Sequence, residues 1–342
     1  MCEWKNIDSA VLGCGAWGTT FALVLAGAGG NVRMWGRNSD VVSFINSHEN
    51  SSYLPGIDLP NNVSASTQIA DVVEGAQLVA VVVPVAAVRA TLEMASPYLG
   101  ENTLLLLLAK GLEPESNALL VDVAAEATGV DRSRIAVLSG PNLSREIASG
   151  QPAATVVACS DLDNARTIAQ ACHTPTFRPY LSSDVVGCEI AGATKNVIAV
   201  AIGAAEGMGL GVNTRATLIT RGLAEMTRLG TAMGAEPLTF SGLAGVGDLV
   251  TTCSSRLSRN YSFGYRMGQG MGLEEALSLS PGVVEGVRSA RPILDVAQSL
   301  GVDMPITSAV VSVIHEGGSI PEMGQMLLSR PRKMDGWDIA EV

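Results

Sequence analysis

The sequence predicts an α/β fold in which a doubly wound parallel sheet is followed by an all-helical region. Two observations support this prediction. In the first half of the 342-residue chain, short β-like runs alternate with helix-like runs, which is typical of parallel strands joined by helices. From about Ser183 onward the β-like runs stop, and helix-like segments broken by glycine loops replace them. Since the chain is too long for one ordinary core, we predict two domains, residues 1–182 and 183–342.

The alternating runs of the first half differ in how deeply we expect them to be buried. The runs 78–83 (LVAVVV) and 104–108 (LLLLL) are continuously apolar, as expected of strands that are covered on both faces. In chain order, the predicted strands and helices are residues 9–12, 15–28, 31–35, 77–83, 85–95, 103–109, 116–128, 135–138, 151–158, 161–171 and 176–180.

Composition and charge exclude several classes of function. Lysine and arginine number 22 against 33 acidic residues, so the formal net charge is −11, and no basic cluster suggests a nucleic-acid partner. The six cysteines show no CxxC spacing, and the three histidines lie far apart. We therefore expect neither a metal site nor a disulfide framework.

The chain is expected to be cytoplasmic and without a membrane span. Its amino terminus has no signal-peptide core, and its last three residues form no import address. The apolar stretch 185–202 approaches the length of a membrane span, but Glu189, Lys195 and two glycines interrupt it. A buried helix is the better interpretation of this stretch.

Lys195 is the least expected residue of that apolar stretch. An unpaired ammonium is costly to bury, so such a lysine must reach the surface, find partners or titrate as part of a site. Because residues 13–18 of the same chain read GxGxxG, a pattern typical of dinucleotide-binding loops, we interpret Lys195 as the proton-handling group of a dehydrogenase.

The glycine loop Gly13-Cys14-Gly15-Ala16-Trp17-Gly18 follows the first predicted strand and opens an alanine-rich helix. The first glycine allows a tight turn, the second allows the backbone to approach a pyrophosphate, and the third allows close packing of helix on strand. This context predicts a Rossmann-type, dinucleotide-binding domain over residues 1–182.

Arg37 indicates which dinucleotide the loop binds. Sheets specific for NAD usually place an acidic residue at the end of the second strand, where it binds the ribose 2′-hydroxyl. Here Arg37 stands in that region and can accommodate a 2′-phosphate. We infer NADP(H) use, exclusive or dual; the alternative is a solvated surface arginine.

Four further segments carry polar groups that a packed fold has little use for. Lys110 directly follows a buried strand, and the segment Ser139–Ser144, with Gly140 and Asn142, repeats that position after another strand; ligands bind beyond such strand ends. Asp248 is a lone carboxylate among apolar neighbours, and the run Ser258-Arg259-Asn260 offers a guanidinium between two hydrogen-bonding side chains. Taken singly, each could be a strand end, a turn, a cap or a surface charge.

Taken together and in order, these segments resemble the bacterial-type NAD(P)-dependent glycerol-3-phosphate dehydrogenases over essentially the whole chain. The similar blocks are 110–113 (KGLE), 139–141 (SGP), 192–199 (GATKNVIA), 218–226 (LITRGLAEM), 244–249 (AGVGDL), 258–260 (SRN) and 283–286 (VVEG).

The resemblance implies interconversion of dihydroxyacetone phosphate and sn-glycerol 3-phosphate with NAD(P)H, with Lys195 as the proton acceptor in the oxidation. The substrate residues it implies are Lys110, Gly140, Asn142, Lys195, Asp248, Ser258, Arg259 and Asn260. The cofactor residues it implies, beside Gly13, Gly15 and Gly18, are Ala16, Trp17, Arg37, Lys110, Ser144, Arg259, Val283 and Glu285. Three positions depart from the family pattern: Asn142 replaces a hydroxyl residue, Ala16 replaces a frequent serine, and Ser144 replaces the usual alanine.

A mechanism follows in which Lys195 donates a proton to the alkoxide as an ammonium and, in reverse, abstracts one as an amine. An unperturbed lysine has a pKa near ~10.4, too high for an efficient base at neutral pH. Burial and the cation Lys110 should lower the pKa of Lys195, whereas Asp248 should hold and orient it. Arg259 and Asn260 can bind the substrate phosphate.

Two alternatives remain. A β-hydroxyacid or 6-phosphogluconate-type dehydrogenase also uses a lysine, but typically with an asparagine four residues beyond it, where this chain has Ala199. A non-catalytic dinucleotide sensor would have little reason to keep Lys110, Lys195, Asp248 and Arg259 together.

The resemblance further implies a homodimer and a role in supplying glycerol 3-phosphate for phospholipid synthesis.

Overall fold

The structure is a computed structural model that describes residues 7–50 and 52–330. Residues 1–6, on which the prediction of a missing signal peptide rests, lie outside the described residues. The chain forms two compact units. The first comprises the described residues up to Ala109 together with Leu120–Val185, and the second comprises Lys110–Leu119 together with the described residues from Val186 onward. The boundary near residue 182 stays a prediction, since the segment Lys110–Leu119 precedes it in the sequence but belongs to the second unit.

The first unit contains an eight-stranded sheet in the order β3-β2-β1-β4-β5-β6-β7-β8. The part of this order from β3 to β6 is that of a doubly wound dinucleotide-binding sheet, so the predicted fold class is confirmed. The strands are β1 (Asp8–Leu12), β2 (Asn31–Trp35), β3 (Val63–Ser66), β4 (Leu78–Val81), β5 (Leu104–Leu107), β6 (Ile135–Ser139), β7 (Ala153–Ala158) and β8 (Phe177–Ser182). Its helices are α1 (Ala16–Gly27), α2 (Ser39–Asn46), α3 (Ile69–Val73), α4 (Val88–Ala95), α5 (Leu120–Thr128), α6 (Ser144–Ala148) and α7 (Leu162–Ala171).

Strands β4 and β5 confirm the prediction from their apolar runs. Every residue of both strands is buried. The two strands are parallel neighbours in the middle of the sheet, with Leu78 paired to Leu104 and Val81 to Leu107. The continuous apolar sequence thus reflects burial of both strand faces.

One pairing departs from the predicted parallel sheet, because β7 runs antiparallel to β6, with Val137 opposite Ala158. The connection between them contains only α6, a helix of five residues. Such a helix rises about 7.5 Å, less than half of the about 16 Å that a five-residue strand extends, so the connection lacks a crossover helix of the kind that usually joins parallel strands.

The prediction from the sequence missed four elements of the first unit, namely β3, α2 and the five-residue helices α3 and α6, and it misplaced one helix start. Strand β3 has the sequence VSAS and only Val63 is buried in it, so it lacks an apolar run. Helix α2 lies between two loops and buries only Val41 and Ile45. The helix predicted from residue 116 begins at Leu120, because residues 114–116 form a turn.

Helices and loops make up the described residues of the second unit, which contain no strand, and its first segment, Lys110–Leu119, is not helical. Its helices are α8 (Val185–Gly207), α9 (Val212–Ala232), α10 (Pro237–Phe240), α11 (Asp248–Ser254), α12 (Arg259–Gly268), α13 (Leu273–Ser278), α14 (Glu285–Ser299), α15 (Pro305–His315) and α16 (Ile320–Leu328). A π-helical turn, Leu243–Gly247, leads directly into α11.

Helix α8 is the one described helix that is long and apolar enough to cross a membrane. Of its most apolar 18-residue window, 89% is buried inside the protein. Core helices of soluble proteins show the same combination of length, composition and burial, and the structure is consistent with the interpretation of residues 185–202 as a buried helix.

Helices α8 and α12 cross at backbone contact through two pairs of glycines spaced four residues apart, Gly203 with Gly207 and Gly264 with Gly268. A Cβ atom on Gly264 would lie 2.1 Å from the carbonyl oxygen of Val200, and one on Gly203 would lie 2.1 Å from that of Tyr261. Since neither backbone can retreat without moving its helix, these positions tolerate no side chain. The crossing fixes the start of α12 against α8, the helix that carries Lys195.

We predict that Gly264→Ala lowers the free energy of unfolding by about 2–3 kcal/mol, because the added methyl overlaps a backbone carbonyl. Gly324→Ala on α16 is the matched control. Its Cβ would meet nothing within 4 Å, and its higher helix propensity should leave stability unchanged or raise it by about 0.5 kcal/mol. Urea unfolding followed by circular dichroism measures both; equal stability of the two variants would contradict the proposed helix contact.

Candidate active site

The glycine loop adopts the turn that the sequence predicts, between β1 and α1. Gly13 has φ of +127°, and a Cβ atom there would lie 2.5 Å from the carbonyl oxygen of Val82. A Cβ atom on Gly18 would lie 1.9 Å from the carbonyl oxygen of Gly13. Both positions therefore require glycine, the first for the turn and the second for close packing of α1 on the loop.

The amino-terminal end of α1 fits a dinucleotide pyrophosphate. Gly15 is the N-cap of the helix, no described side chain caps the first turn, and the turn contains no acidic residue. Nothing lies within 4 Å of the position that a Gly15 Cβ would occupy, so the backbone is open to a ligand there. Exposed backbone N–H groups and the positive end of the helix dipole favour a phosphate group. Ala16 and Trp17 are the first two residues of this turn.

Arg37 lies two residues beyond the end of β2 and is exposed to solvent. It immediately precedes Asn38, the N-cap of α2, whose side chain accepts hydrogen bonds from the backbone of Asp40 and Val41. The position is the one expected for a residue that distinguishes the two dinucleotides.

The loop after β6 carries the predicted residues Gly140, Asn142 and Ser144. Gly140 has φ of +148° and lies against the Thr155 backbone. Asn142 donates from Nδ2 to Thr155 Oγ1 at 3.1 Å, whereas its Oδ1 is buried and has no hydrogen-bond partner among the described residues. Ser144 begins α6, and its carbonyl oxygen accepts a bond of 3.1 Å from Thr20 on α1. The Oδ1 atom of Asn142 is thus an acceptor that a bound molecule could use.

In the second unit, the structure brings Lys110, Lys195 and Asp248 together. The two Nζ atoms each lie 2.6 Å from a different carboxylate oxygen of Asp248. The side chains are 15%, 9% and 2% exposed, respectively. One carboxylate therefore pairs with two ammonium groups in a place with little water, where charge-assisted hydrogen bonds are strong.

Thr252 completes this cluster and was not predicted from the sequence. Lys195 Nζ donates to Thr252 Oγ1 at 2.7 Å, and the same hydroxyl lies 3.3 Å from Asp248 Oδ1. Thr252 follows Asp248 by one turn of α11, so the two side chains share a helix face. That spacing is the signal that could have identified it.

Burial and neighbouring charges shift the pKa values of Lys195 and Asp248 in opposing directions. Burial lowers the pKa of Lys195 from its ordinary 10.5 to about 8; Asp248 opposes this shift and Lys110 reinforces it. Burial alone would raise the pKa of Asp248, but the two lysines outweigh burial and hold that pKa below its ordinary value. Lys195 is therefore a group that can exchange a proton near neutral pH while Asp248 stays ionised.

A second set of hydrogen bonds links the helices around the cluster. Asn260 donates from Nδ2 to Asn196 Oδ1 at 2.8 Å and accepts at Oδ1 from the Gly286 N–H at 2.8 Å. Asn196 in turn donates to the carbonyl oxygens of Gly192, at 3.2 Å, and of Lys110, at 3.4 Å. Asn196, which the sequence analysis did not assign to the site, thus joins α8, α12 and the Lys110 segment.

The run Ser258-Arg259-Asn260 forms the amino-terminal turn of α12. Ser258 is the N-cap and accepts a hydrogen bond from the Tyr261 N–H at 3.3 Å, so its side chain has the capping role that was the alternative interpretation. Arg259 is the first residue of the helix and is exposed, and its guanidinium lies against Gly282. A guanidinium at the positive end of a helix is a suitable anchor for a phosphate.

The remaining predicted cofactor residues, Val283 and Glu285, lie directly before and at the start of α14. No group of three or more histidine, cysteine or acidic side chains in residues 7–50 and 52–330 is arranged to hold a metal ion.

Comparisons with known proteins assign the chain to one family. Residues 8–165 match the family model described as NAD-dependent glycerol-3-phosphate dehydrogenase N-terminus, and residues 184–325 match the corresponding C-terminus model. The glycerol-3-phosphate dehydrogenase [NAD(P)+] of Streptomyces griseus is 53% identical over 328 residues, which are 96% of this chain and 98% of that protein. The enzyme of the same name from Corynebacterium aurimucosum is 52% identical over 95% of this chain and 99% of its own length.

A solved structure agrees with this assignment. The glycerol-3-phosphate dehydrogenase of Coxiella burnetii superposes with a TM-score of 0.91 at 36% identity, covering 95% of this chain and 99% of that one. The family matches cover the glycine loop and the lysine cluster alike, and they do not support the alternative of a β-hydroxyacid dehydrogenase. The chain belongs to the NAD(P)-dependent glycerol-3-phosphate dehydrogenase family.

Proposed function

We propose that this protein interconverts dihydroxyacetone phosphate and sn-glycerol 3-phosphate, with Lys195 as the general acid and base. The observation that carries the proposal is the buried cluster in which Lys195 and Lys110 share the carboxylate of Asp248. A packed helix has no structural need for this arrangement, and removing Asp248 would leave two buried ammonium groups without their carboxylate. A nicotinamide cofactor, when bound, would supply or accept the hydride.

Lys195 handles the proton at the reacting oxygen. In the reduction its ammonium form stabilises the developing alkoxide and then donates a proton; in the oxidation its amine form removes the proton from the hydroxyl. A pKa of about 8 makes both forms available near neutral pH. Asp248 and Thr252 hold the Nζ atom from two sides and so fix the direction of transfer.

Lys110 contributes a second positive charge to the same carboxylate. It lowers the pKa of Lys195, and its Nζ lies in hydrogen-bonding contact with Asp248. A second cation beside the proton donor makes the site attractive to the substrate's developing negative charge. We propose that Lys110 contacts both the substrate and the cofactor.

The phosphate of the substrate binds at the start of α12, where Arg259 supplies a planar guanidinium at the positive end of the helix. Asn260 already uses one N–H and its oxygen within the protein, which leaves its second N–H for the phosphate. Gly140, Asn142 and Ser258 complete the proposed substrate contacts. The proposed cofactor contacts are the glycine loop with Ala16 and Trp17, together with Arg37, Ser144, Val283 and Glu285.

We also propose that the enzyme is a cytoplasmic homodimer that supplies glycerol 3-phosphate for phospholipid synthesis. These statements rest on the family to which the chain belongs. A single assay of NADPH oxidation with dihydroxyacetone phosphate tests the activity itself, and no turnover would reject it.

Lys195→Ala and Arg259→Ala should impair the enzyme in different ways. Removing the proton donor should lower kcat by at least ~10²-fold with a modest change in KM. Removing the phosphate anchor should mainly raise the KM for dihydroxyacetone phosphate, because the guanidinium binds a part of the substrate remote from the reacting carbon. Steady-state kinetics with NADPH measure both; a Lys195→Ala enzyme with nearly wild-type kcat would show that another group moves the proton.

The two directions of the reaction should show opposite pH dependence. Since the reduction needs the ammonium form of Lys195, its kcat/KM should be constant below about pH 8 and fall above it; the oxidation should rise up to about pH 8 and then level off. Because Lys110 lowers the pKa of Lys195, Lys110→Met should move the midpoint to higher pH in whatever activity remains. Flat profiles would exclude Lys195 as the titrating group, and midpoints near the ordinary lysine pKa would contradict the lowered pKa.

Arg37 should set the preference for the phosphorylated dinucleotide. Arg37→Ala should lower kcat/KM for NADPH by about tenfold while leaving that for NADH nearly unchanged, since only NADPH carries the 2′-phosphate. The half-buried Arg33 on β2 offers a control: its guanidinium donates to the carbonyl oxygens of Asp71 and Glu74, so Arg33→Ala should not change the ratio of kcat/KM for NADPH to that for NADH. If the ratio of kcat/KM for NADPH to that for NADH is unchanged in Arg37→Ala, Arg37 is a solvated surface residue with no part in cofactor preference.

A further inference from the structure

The carbonyl group of Cys14, in the middle of the glycine loop, is held by a buried side chain from outside the loop. Asn50, which follows α2 in the chain, donates from Nδ2 to the Cys14 carbonyl oxygen at 3.1 Å and to Thr19 Oγ1 at 2.7 Å. The Thr19 hydroxyl lies 3.4 Å from the same carbonyl oxygen. Asn50 is 1% exposed and Thr19 is 0% exposed, so water does not compete for these bonds.

The position of Asn50 is itself fixed by its surroundings. Its Oδ1 accepts a hydrogen bond from the Tyr53 N–H, and its backbone oxygen accepts one of 2.8 Å from the Leu54 N–H. A β-bridge pairs the preceding residue, Glu49, with Asp58. Leu54 is buried and anchors this segment to the first unit. The side-chain amide of Asn50 is therefore held in place by contacts other than its hydrogen bonds to the loop.

The direction of the Cys14 carbonyl determines the direction of the next N–H. In a planar trans peptide the C=O and N–H bonds point to opposite sides. With the Cys14 oxygen turned inward toward Asn50, the Gly15 N–H is turned to the opposite side of the loop. Gly15 is the N-cap of α1, and the space next to its Cα is open.

We propose that Asn50 is a positioning residue for the dinucleotide: by fixing the Cys14–Gly15 peptide, it pre-orients the Gly15 N–H toward the cofactor pyrophosphate. A glycine-flanked peptide is otherwise free to rotate, and binding would have to order it. The inference depends on dinucleotide binding by the loop and not on the proposed role of Lys195.

Direct binding of NADPH to the wild type and to Asn50→Asp is measured by fluorescence titration. The aspartate keeps an acceptor for the Tyr53 N–H but loses both donated bonds and turns a carboxylate toward the Cys14 carbonyl. We expect its Kd for NADPH and for ADP-ribose to rise by about tenfold, the scale of losing a hydrogen bond to a buried acceptor. Adenosine lacks the pyrophosphate, and its inhibition constant against NADPH should stay within about twofold. At saturating NADPH, kcat should be retained.

Asn62→Ala is the matched control. Asn62 also donates twice from Nδ2 to backbone carbonyls of the same unit, Ala26 at 3.1 Å and Gly30 at 2.7 Å, but at the other end of α1. Losing these two hydrogen bonds should lower the free energy of unfolding without changing the Kd for NADPH. Equal weakening of NADPH and adenosine binding by Asn50→Asp, or weakening by Asn62→Ala to the same degree, would overturn the proposal.

Thr19 provides a second test if Asn50→Asp does not fold. Thr19→Val removes the hydroxyl that joins Asn50 to the Cys14 carbonyl and should raise the Kd for NADPH severalfold, whereas Thr19→Ser keeps the hydroxyl and should restore binding. Unchanged affinity in Thr19→Val would also overturn the proposal. A wild-type protein that fails to bind NADPH would instead reject the dinucleotide function.

Discussion

The ion cluster around Asp248 is the interaction on which the site depends. One buried carboxylate holds the Nζ atoms of Lys110 and Lys195 at 2.6 Å each, and neither ammonium could be buried there without it. The three charges sum to +1, which suits the proposed binding of a phosphorylated substrate and the proposed stabilisation of an alkoxide. Burial and the second cation lower the pKa of Lys195, whereas the carboxylate limits how far it falls. The cluster is therefore both a structural solution for a buried lysine and a means of tuning it.

The helices of the second unit hold this cluster in place. The close crossing of α8 and α12 requires glycine at facing positions, and it sets Arg259 and Asn260 at the start of α12 beside the helix that carries Lys195. Asn260 and Asn196 then join the two helices and the Lys110 backbone through hydrogen bonds. Small residues thus determine where the charged residues lie, because helix axes can approach so closely only where side chains are absent.

The same principle operates in the glycine loop of the first unit. Gly13 and Gly18 permit a turn in which the helix packs on the loop backbone, and the amides at the start of α1 are left for an anion. A loop without side chains has many accessible conformations, so its shape must be fixed from outside. The buried bonds from Asn50 to the Cys14 carbonyl and to Thr19 supply that restraint.

The sequence alone determined the fold class, the glycine loop and the identity of Lys195, Lys110 and Asp248 as unusual polar residues, because periodicity, turn chemistry and a charge in an apolar run are local properties. It did not reveal the antiparallel β7, the weak strand β3, or Thr252 and Asn50. Tertiary structure decided these, since they depend on how a strand is connected or on contacts between residues distant in sequence; Thr252, for example, lies 57 residues from Lys195. The sequence gives the chemical group of each side chain, whereas packing determines its partners, and with them its pKa and its role.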